Sequence, residues 1–352
     1  MPNFADINSC CLKMPEDSRH FPAAAMQLLH EQSLLQINLP KRFRVIDERI
    51  PVYETLCKIG KCNLSVGRIY EGHLNAIKLI KDHGSESQQE YFFQEARIGK
   101  LFSVWNTEMS SEALTAQVSH SKLKLNGAKT FCSGGLQIDY AIITAEVAGD
   151  KQMLIFPLKE YPKLIEDWSL WNPMGMKNSV SCRIDFSGIE ISSDLKLGKL
   201  NAYQQQPWFS GGAMRFAAVQ LGGAEALMLS AIDHLNAQNK SSDPYQQQRM
   251  GTMAILIESG KFWLQKAQQI DDTQKNYTSA EIVNFADMMR SAILNISEEI
   301  LQLTERSIGV QGFMENHPME QVYRDLKVYL KQPGPDFALK NVGAYTFDHY
   351  RK

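Results

Sequence analysis

The chain has 352 residues, a formal net charge of −2 at neutral pH and six cysteines. This length allows two or three domains, and the balanced charge provides no basic surface of the kind that nucleic-acid binding requires. The cysteines are too sparse for a disulfide framework, and no Cys or His pairs have zinc-site spacing. We therefore expect a protein of a reducing compartment, with no metal and no nucleic-acid partner.

Charged residues interrupt every apolar run near the N-terminus. A signal peptide needs an uninterrupted apolar core, and a membrane span needs about 20 apolar residues. The sequence therefore predicts a cytoplasmic protein without a membrane-inserted segment.

Three regions follow one another along the chain. Residues 1–103 carry helical periodicity interrupted by prolines and predict an N-terminal helical domain. Residues 104–200 change to short alternating runs, which predict a central β domain, a small barrel or sandwich. The predicted strands are 118–125, 140–145, 153–158, 182–186 and 189–191.

Residues 201–352 return to a period of 3.6 in long apolar stripes, which predict a C-terminal four-helix bundle domain. Gly309 should end the third helix; Pro318 should open the fourth, and Pro333 lies beyond its end. The predicted helices cover 214–235, 250–267, 282–303 and 318–330. The fold class expected from this order is α+β with several domains.

One turn stands out within the β region. Asn126-Gly127 is the residue pair that a type I′ hairpin turn prefers, since both positions need positive φ. The strand that follows ends in Ser133-Gly134-Gly135. These small residues offer a hydroxyl and bare backbone where a flat group can approach, so we expect a binding site at this strand end.

The residues from Asn126 to Gly134 are similar to the NGxKxWITN strand of the acyl-CoA dehydrogenase superfamily. The resemblance covers nearly the whole chain. In that strand an aromatic residue packs against the flavin and a hydroxyl contacts its N5 edge. The resemblance thus implies that Phe131 packs on the flavin, that Ser133 is the hydroxyl donor and that Gly134 lies beside it. Thr107 resembles the threonine of the family's TEP loop, which forms a hydrogen bond with the pyrimidine end of the flavin.

Two further motifs carry the resemblance. Residues 170–179 are similar to the family's WGMRxS strand, which implies that Trp171 lies beside the flavin; Lys177 stands where arginine is usual. Residues 309–313, followed by Arg324-Asp325, are similar to the GGxGF...P-E-R-D run. There the glycines approach the adenosine end of FAD bound mainly to a neighbouring subunit. The resemblance implies FAD, adenosine contacts from Gly309, Gln311 and Gly312, and a homodimer or homotetramer.

The chain departs from the family at the catalytic base. Counting from Arg324-Asp325, the position of the family's glutamate falls on Pro333, which cannot accept a proton. Residues 211–216, where some branches place the base, contain no carboxylate. Asp336, Asp325 and His349 are weak substitutes, each with a simpler interpretation as a solvated, ion-paired or terminal residue. The identity of a base is left open.

The cofactor loops depart as well. The turn toward the pyrophosphate reads Met109-Ser110-Ser111-Glu112, in which Glu112 adds an unfavourable charge near a phosphate. The residues that reach across the subunit interface are not recognisable. Gln247 and Lys240 are weak substitutes for them.

The leading hypothesis is an FAD-dependent oxidoreductase that carries out α,β-dehydrogenation of an acyl-CoA or carrier-linked acyl thioester, with an unidentified redox partner. One alternative keeps the fold and makes the protein a flavin-dependent monooxygenase, which needs no α-proton base. The other is a non-catalytic relative that serves as a scaffold or binds a ligand.

Overall fold

The computed structural model describes residues 2–11, 19–46 and 48–349. Lys13, Glu16 and Asp17, which interrupt apolar runs near the N-terminus, lie outside these ranges. The N-terminal region is helical, as predicted. Its helices are α1 (Phe4–Cys11), α2 (Ala23–Glu31), α3 (Val52–Cys62), α4 (Leu64–His83) and α5 (Glu86–Arg97).

The central region forms two sheets. The strands are β1 (Phe102–Trp105), β2 (Thr115–Ser119), β3 (Lys122–Asn126), β4 (Ala128–Cys132), β5 (Tyr140–Val147), β6 (Asp150–Pro157), β7 (Glu166–Asp167), β8 (Cys182–Asp185), β9 (Glu190–Ser192) and β10 (Lys196–Leu197). The larger sheet has the order β10-β6-β5-β2-β3-β9, with β1 parallel to β5, and the smaller has the order β4-β8-β7.

The hairpin predicted at Asn126-Gly127 is wrong. Strands β3 and β4 pair with different partners in different sheets, so the chain crosses from one sheet to the other at this point. Of the Asn126-Gly127 pair, only Gly127 has positive φ, at 116°, whereas a type I′ turn needs it at both positions. A side chain at Gly127 would meet the Ala113 carbonyl oxygen at 2.5 Å. The reversal occurs instead at His120-Ser121, which divides the single predicted strand 118–125 into β2 and β3.

The C-terminal region contains five helices where four were predicted. They are α6 (Trp208–Ala237), α7 (Pro244–Asp272), α8 (Ser279–Ile308), α9 (Pro318–Tyr329) and α10 (Pro335–His349). Gly309 ends α8 and Pro318 opens α9, as predicted. The extra helix α10 has a single buried residue, Ala338, so it carries no apolar stripe to reveal it in the sequence.

Helix α6 lies at the centre of the helical packing. A side chain at Gly222 would meet the Cys57 carbonyl oxygen at 2.1 Å, so the glycine lets α6 and α3 approach closely. The expectation that no segment is apolar enough to span a membrane is wrong for α6, whose length and hydropathy meet that criterion. Most of its apolar segment, 61%, is buried inside the protein, as in the core helix of a folded domain.

Candidate functional site

A cavity of about 510 Å³ lies where helices α4, α6, α8 and α10 meet the end of β1 and the loop after α9. Thr107, named from the sequence as a cofactor residue, lines it. Pro333, the position to which the sequence resemblance assigns the family's glutamate, also lines it. Two positions more than 200 residues apart in the sequence therefore share one site.

Phe131, Ser133 and Trp171 lie outside the cavity lining, and a backbone hydrogen bond links the strand of Phe131 to Thr107. The Thr107 carbonyl accepts a hydrogen bond from Thr130 N at 2.9 Å. The C-terminal part of β4 therefore lies next to Thr107, which lines the cavity. Phe131 has φ of +53° and is 50% exposed, and the β4–β8 register shifts around it. Positive φ is unfavourable for a bulky residue, and such strain persists only where the surroundings impose it.

Trp171 completes this corner. Its ring lies edge-on to Phe131, with the centroids 6.0 Å apart and the planes at 83°. The indole is 9% exposed, and its buried Nε1–H has no hydrogen-bond partner. A buried donor without an acceptor is costly, so the Phe131–Trp171 corner fits a planar ligand with an acceptor at its edge.

Ser133 is buried instead of open, because it belongs to a chain of hydroxyls. Its Oγ lies 2.9 Å from Ser181 Oγ, which lies 2.9 Å from Ser179 Oγ. Ser179 donates its only hydroxyl proton to the Met176 carbonyl at 2.8 Å. Ser181 must then donate to Ser179, and Ser133 to Ser181, which leaves the Ser133 oxygen as an acceptor. The Ser133 oxygen is thus free to accept a hydrogen bond, whereas the resemblance implies a hydroxyl that donates one.

Gly134 follows with φ of +87°. Its N–H donates to the Ser179 carbonyl at 2.8 Å, and a side chain there would meet Ile138 at 2.5 Å. The glycine is required by this turn, whether or not a ligand lies next to it.

A buried ion cluster is centred on Lys129, which lies on β4 two residues before Phe131. The Lys129 ammonium, fully buried, contacts Glu108 at 2.5 Å, the Asn106 carbonyl at 3.1 Å and Thr144 Oγ1 at 3.0 Å. Lys151 binds the second Glu108 oxygen at 2.6 Å. Desolvation lowers the pKa of Lys129, whereas the two ammonium groups outweigh desolvation and lower the pKa of Glu108. The cluster thus fixes the end of β1 beside Thr107.

Glu112 pairs with Arg183, whose guanidinium lies 2.7 Å from the carboxylate. Arg183 also pairs with Asp185 at 3.1 Å and Asp167 at 3.6 Å. One guanidinium is thus shared among three carboxylates, and a net negative charge remains near Ser110-Ser111.

Arg324-Asp325 holds the 170–179 segment in place. A side chain at Gly175 would meet the Arg324 carbonyl at 2.3 Å, and the Asp325 carboxylate accepts a hydrogen bond from Met176 N. Arg324 also bonds Glu320. Asp325 thus has a positioning contact outside the cavity lining.

The other two substitute bases also lie outside the cavity lining. Asp336 is exposed in the first turn of α10, and the exposed His349 stacks on Tyr345 near the end of that helix. The carboxylates that do line the cavity are Glu71, Asp82 and Asp287. Burial raises the pKa of Asp287, against the opposing effects of Asn341 and Arg290.

The structure separates the two groups of cofactor residues named from the sequence. Gln311 accepts a hydrogen bond from Gln238 at the end of α6, whereas Arg215 near its start lines the cavity. Gln238 and Arg215 are 23 positions apart, which corresponds to about 35 Å of helix. Gln247 is exposed and bonds the Ser241 carbonyl. One chain does not bring Gln311 and Phe131 together.

The glycines of the 309–313 turn have structural roles. Gly309 has φ of +75° and ends α8, and a side chain at Gly312 would meet Met319 Sδ at 2.4 Å. The fold accounts for both glycines without a ligand.

Sequence reasoning missed a polar wall of the cavity formed by Arg68, Glu71, Asn75 and Arg215. Arg68 bonds Glu71, Asn75 donates to Glu71, and Arg215 Nε donates to Asn75. Arg215 stands in a segment, 211–216, that contains no carboxylate, and nothing in the local sequence pattern marks it as a cavity residue. Among the described residues, no group of three or more His, Cys, Asp or Glu side chains is arranged to hold a metal.

Comparison with known proteins gives a consistent result. Residues 202–341 match the family model "Acyl-CoA dehydrogenase, C-terminal domain". The chain is 21% identical to dibenzothiophene monooxygenase of Rhodococcus erythropolis, over 91% of this chain and 85% of that protein. It is 22% identical to the putative acyl-CoA dehydrogenase YdbM of Bacillus subtilis, over 92% and 89%. FMN-bound TdsC from Paenibacillus sp. A11-2 superposes with a TM-score of 0.87 at 17% identity, over 98% and 96%.

Proposed function

Because the chain belongs to the acyl-CoA dehydrogenase superfamily, we propose that it is a flavin-dependent oxidoreductase whose flavin ring lies at the Phe131–Trp171 corner. One observation carries this placement: the corner combines a strained, half-exposed aromatic residue with a buried indole N–H that has no acceptor. A flavin has a planar ring that can pack on the exposed face of Phe131. It also has acceptor atoms at its edge that can accept a hydrogen bond from the Trp171 N–H.

A bound flavin would supply the redox chemistry, and the protein would supply binding and orientation. Phe131 and Trp171 pack on the ring, and Thr107 lies next to it. The hydroxyl chain ending at Ser133 presents an oxygen that accepts a hydrogen bond. FAD would also need the 309–313 turn of a second copy, as in a homodimer or homotetramer, whereas FMN would not.

The reaction that this site supports best is monooxygenation. Pro333 lines the cavity in place of a carboxylate, so the chain lacks the family's base for removing an α proton. Monooxygenation needs no such base: one atom of O₂ enters the substrate and the other leaves as water, with electrons from reduced flavin. An external flavin reductase would be the redox partner, and relatives that are named monooxygenases support this choice.

Dehydrogenation of an acyl thioester is the second candidate, and Asp287 favours it. This carboxylate lines the same cavity as Pro333. Burial raises its pKa against the opposing effects of Asn341 and Arg290, which makes it more basic than an ordinary aspartate. An acyl-CoA or carrier-linked acyl substrate would then enter the cavity. For both candidates we propose a cytoplasmic location, where reduced cofactors are available.

The two reactions separate in one experiment. The flavin-loaded protein is mixed anaerobically with butyryl-, octanoyl- and palmitoyl-CoA while its visible absorption is followed. We expect no bleaching with the native chain and measurable bleaching with Pro333→Glu, which restores a carboxylate in the cavity. Pro333→Gln is the matched control, which has the same size without the charge.

Bleaching of the native protein by any thioester would overturn the monooxygenase proposal. If Asp287→Asn then abolished this bleaching, the dehydrogenase candidate would replace it. With the reductase, NADH and O₂ supplied, substrate-dependent oxygen uptake by the native chain is the positive outcome that monooxygenation requires.

A further inference from the structure

Arg215 is a buried cation in the wall of the cavity. It is 4% exposed and lines the cavity from helix α6. Its Nε donates to Asn75 Oδ1, whereas its buried Nη1 has no hydrogen-bond partner. Arginine keeps its charge in proteins, so this site holds a positive charge with an unused donor.

The neighbouring charges are already neutralised by one another. Arg68 pairs with Glu71, and Lys78 pairs with Asp82 at 3.4 Å. Arg215 reaches Glu71 only through the neutral amide of Asn75. Among the described residues, no carboxylate lies within the 4.0 Å ion-pair distance of Arg215. A buried guanidinium without a counter-charge is costly unless an anion reaches it.

Tyr329 adds a second unused donor to the same cavity. Its side chain is 3% exposed, and its buried hydroxyl has no hydrogen-bond partner. Desolvation keeps the pKa of Tyr329 well above 10, so the hydroxyl keeps its proton and can donate it. Tyr329 lines the same cavity as Arg68 and Glu71 of the polar wall.

The remaining lining gives the shape of the ligand. Trp208, Phe209 and Tyr203 form an aromatic side of the cavity, in which Tyr203 and Phe209 are in edge-to-face contact at 5.7 Å. A ligand that satisfies both sides has an anionic oxygen group for the unused donors and an apolar body for the aromatic side.

We propose that Arg215 and Tyr329 form an oxyanion subsite that binds the carboxylate of a small substrate with an aromatic or aliphatic body. This inference deepens the proposed function, on which it rests, by naming the substrate class of the same cavity. Arg215 binds the carboxylate with a charge-assisted hydrogen bond, and Tyr329 donates a second one. The apolar body then extends along Trp208 and Phe209.

Calorimetric titration with benzoate and benzamide tests the subsite, because these probes share a ring and differ in charge. We expect the native protein to bind benzoate at least about tenfold more tightly, the effect of one hydrogen bond to a charged group. Arg215→Met should abolish this preference. Lys58→Met, which removes a partly exposed cation outside the cavity lining, should retain it.

Equal affinity for the two probes, or a preference that survives in Arg215→Met, would overturn the subsite. If Arg215→Met does not fold, as judged by circular dichroism, Tyr329→Phe decides: we expect weaker benzoate binding with benzamide unchanged, and no change would contradict the proposal. The titrations are run with and without bound flavin. A protein that prefers benzoate but never binds flavin would refute the proposed function and retain the subsite.

Discussion

The Phe131–Trp171 corner and the 309–313 turn both resemble cofactor-binding motifs, yet the fold treats them differently. At the turn, Gly309 ends a helix with positive φ and Gly312 makes room for Met319, so every unusual feature has an internal cause. At the corner, the positive φ of Phe131 accompanies the register shift between β4 and β8, whereas the buried indole N–H of Trp171 has no partner within the described part of the chain.

This difference shows which motif is a sign of a ligand. Strain and unsatisfied donors that the protein does not itself resolve point to something that binds. Glycines that relieve a steric conflict do not. The following experiments test this contrast between the corner and the turn.

The largest effect on stability is expected at His73, which lies on α4 against the start of β1. Its Nδ1 accepts from Phe102 N at 3.2 Å and its Nε2 lies 2.8 Å from the Leu35 carbonyl, so the neutral ring joins α4 to β1. Burial lowers the pKa of His73 to about 4. The unfolded chain binds this proton near pH 6.5 and the folded chain does not, so stability is complete above pH 6.5 and is lost as the pH falls toward 4.

We expect the free energy of unfolding to fall by about 3 kcal/mol over that interval. Urea denaturation at a series of pH values measures it. His73→Gln should flatten the profile, whereas the control His349→Gln, at an exposed position on α10, should leave it unchanged. A flat native profile would remove His73 as the anchor of β1.

At the turn, Gly312→Ala tests the internal explanation of its glycine. A methyl group would meet Met319 Sδ, the end of a flexible side chain, and Ile308 Cγ2 at 3.1 Å, so we expect a loss of about 1 kcal/mol in stability, the low end of the range for overpacking. Gly251→Ala is the matched control, since open space surrounds it, and should be neutral or stabilising. If Gly312→Ala weakened FAD binding and spared FMN binding, the turn would instead contact the adenosine.

At the corner, Phe131→Gly should have opposite effects on binding and on stability. Loss of the ring removes an aromatic contact, so we expect the Kd for flavin to rise about tenfold. Glycine tolerates positive φ, so the ligand-free protein should be as stable or more stable. Fluorescence titration with FMN and thermal unfolding measure the two effects. Phe262→Ala, an exposed aromatic on α7, should alter neither; a selective loss of stability in Phe131→Gly would make this residue structural.

The smallest effect is expected for Trp171→Phe. This change keeps most of the packing and removes the unpaired N–H, so we expect stability to hold and the Kd for flavin to rise by about three- to tenfold. The same FMN titration measures it. An unchanged Kd would mean that the indole N–H does not contact the ligand.

The sequence predicted the helical and β regions and several helix ends, because periodicity and residues such as Gly309 and Pro318 act locally. It missed α10, which lacks an apolar stripe, and it misread Asn126-Gly127, where pairing between distant strands overrides turn preference. Phe131 and Thr107 could be named from motifs alone. The charge balance around Arg215 could not, since Arg68, Asn75 and Arg215 meet only through the packing of α4 against α6.

The central claim is that this chain binds a flavin at the Phe131–Trp171 corner. The most direct measurement is the visible absorption spectrum of the purified protein, recorded as isolated and again after incubation with FMN or FAD and removal of unbound cofactor by gel filtration. We predict the two-band spectrum of oxidised flavin, lost or weakened in Phe131→Gly. A native protein that stays colourless after incubation with both cofactors would contradict the claim.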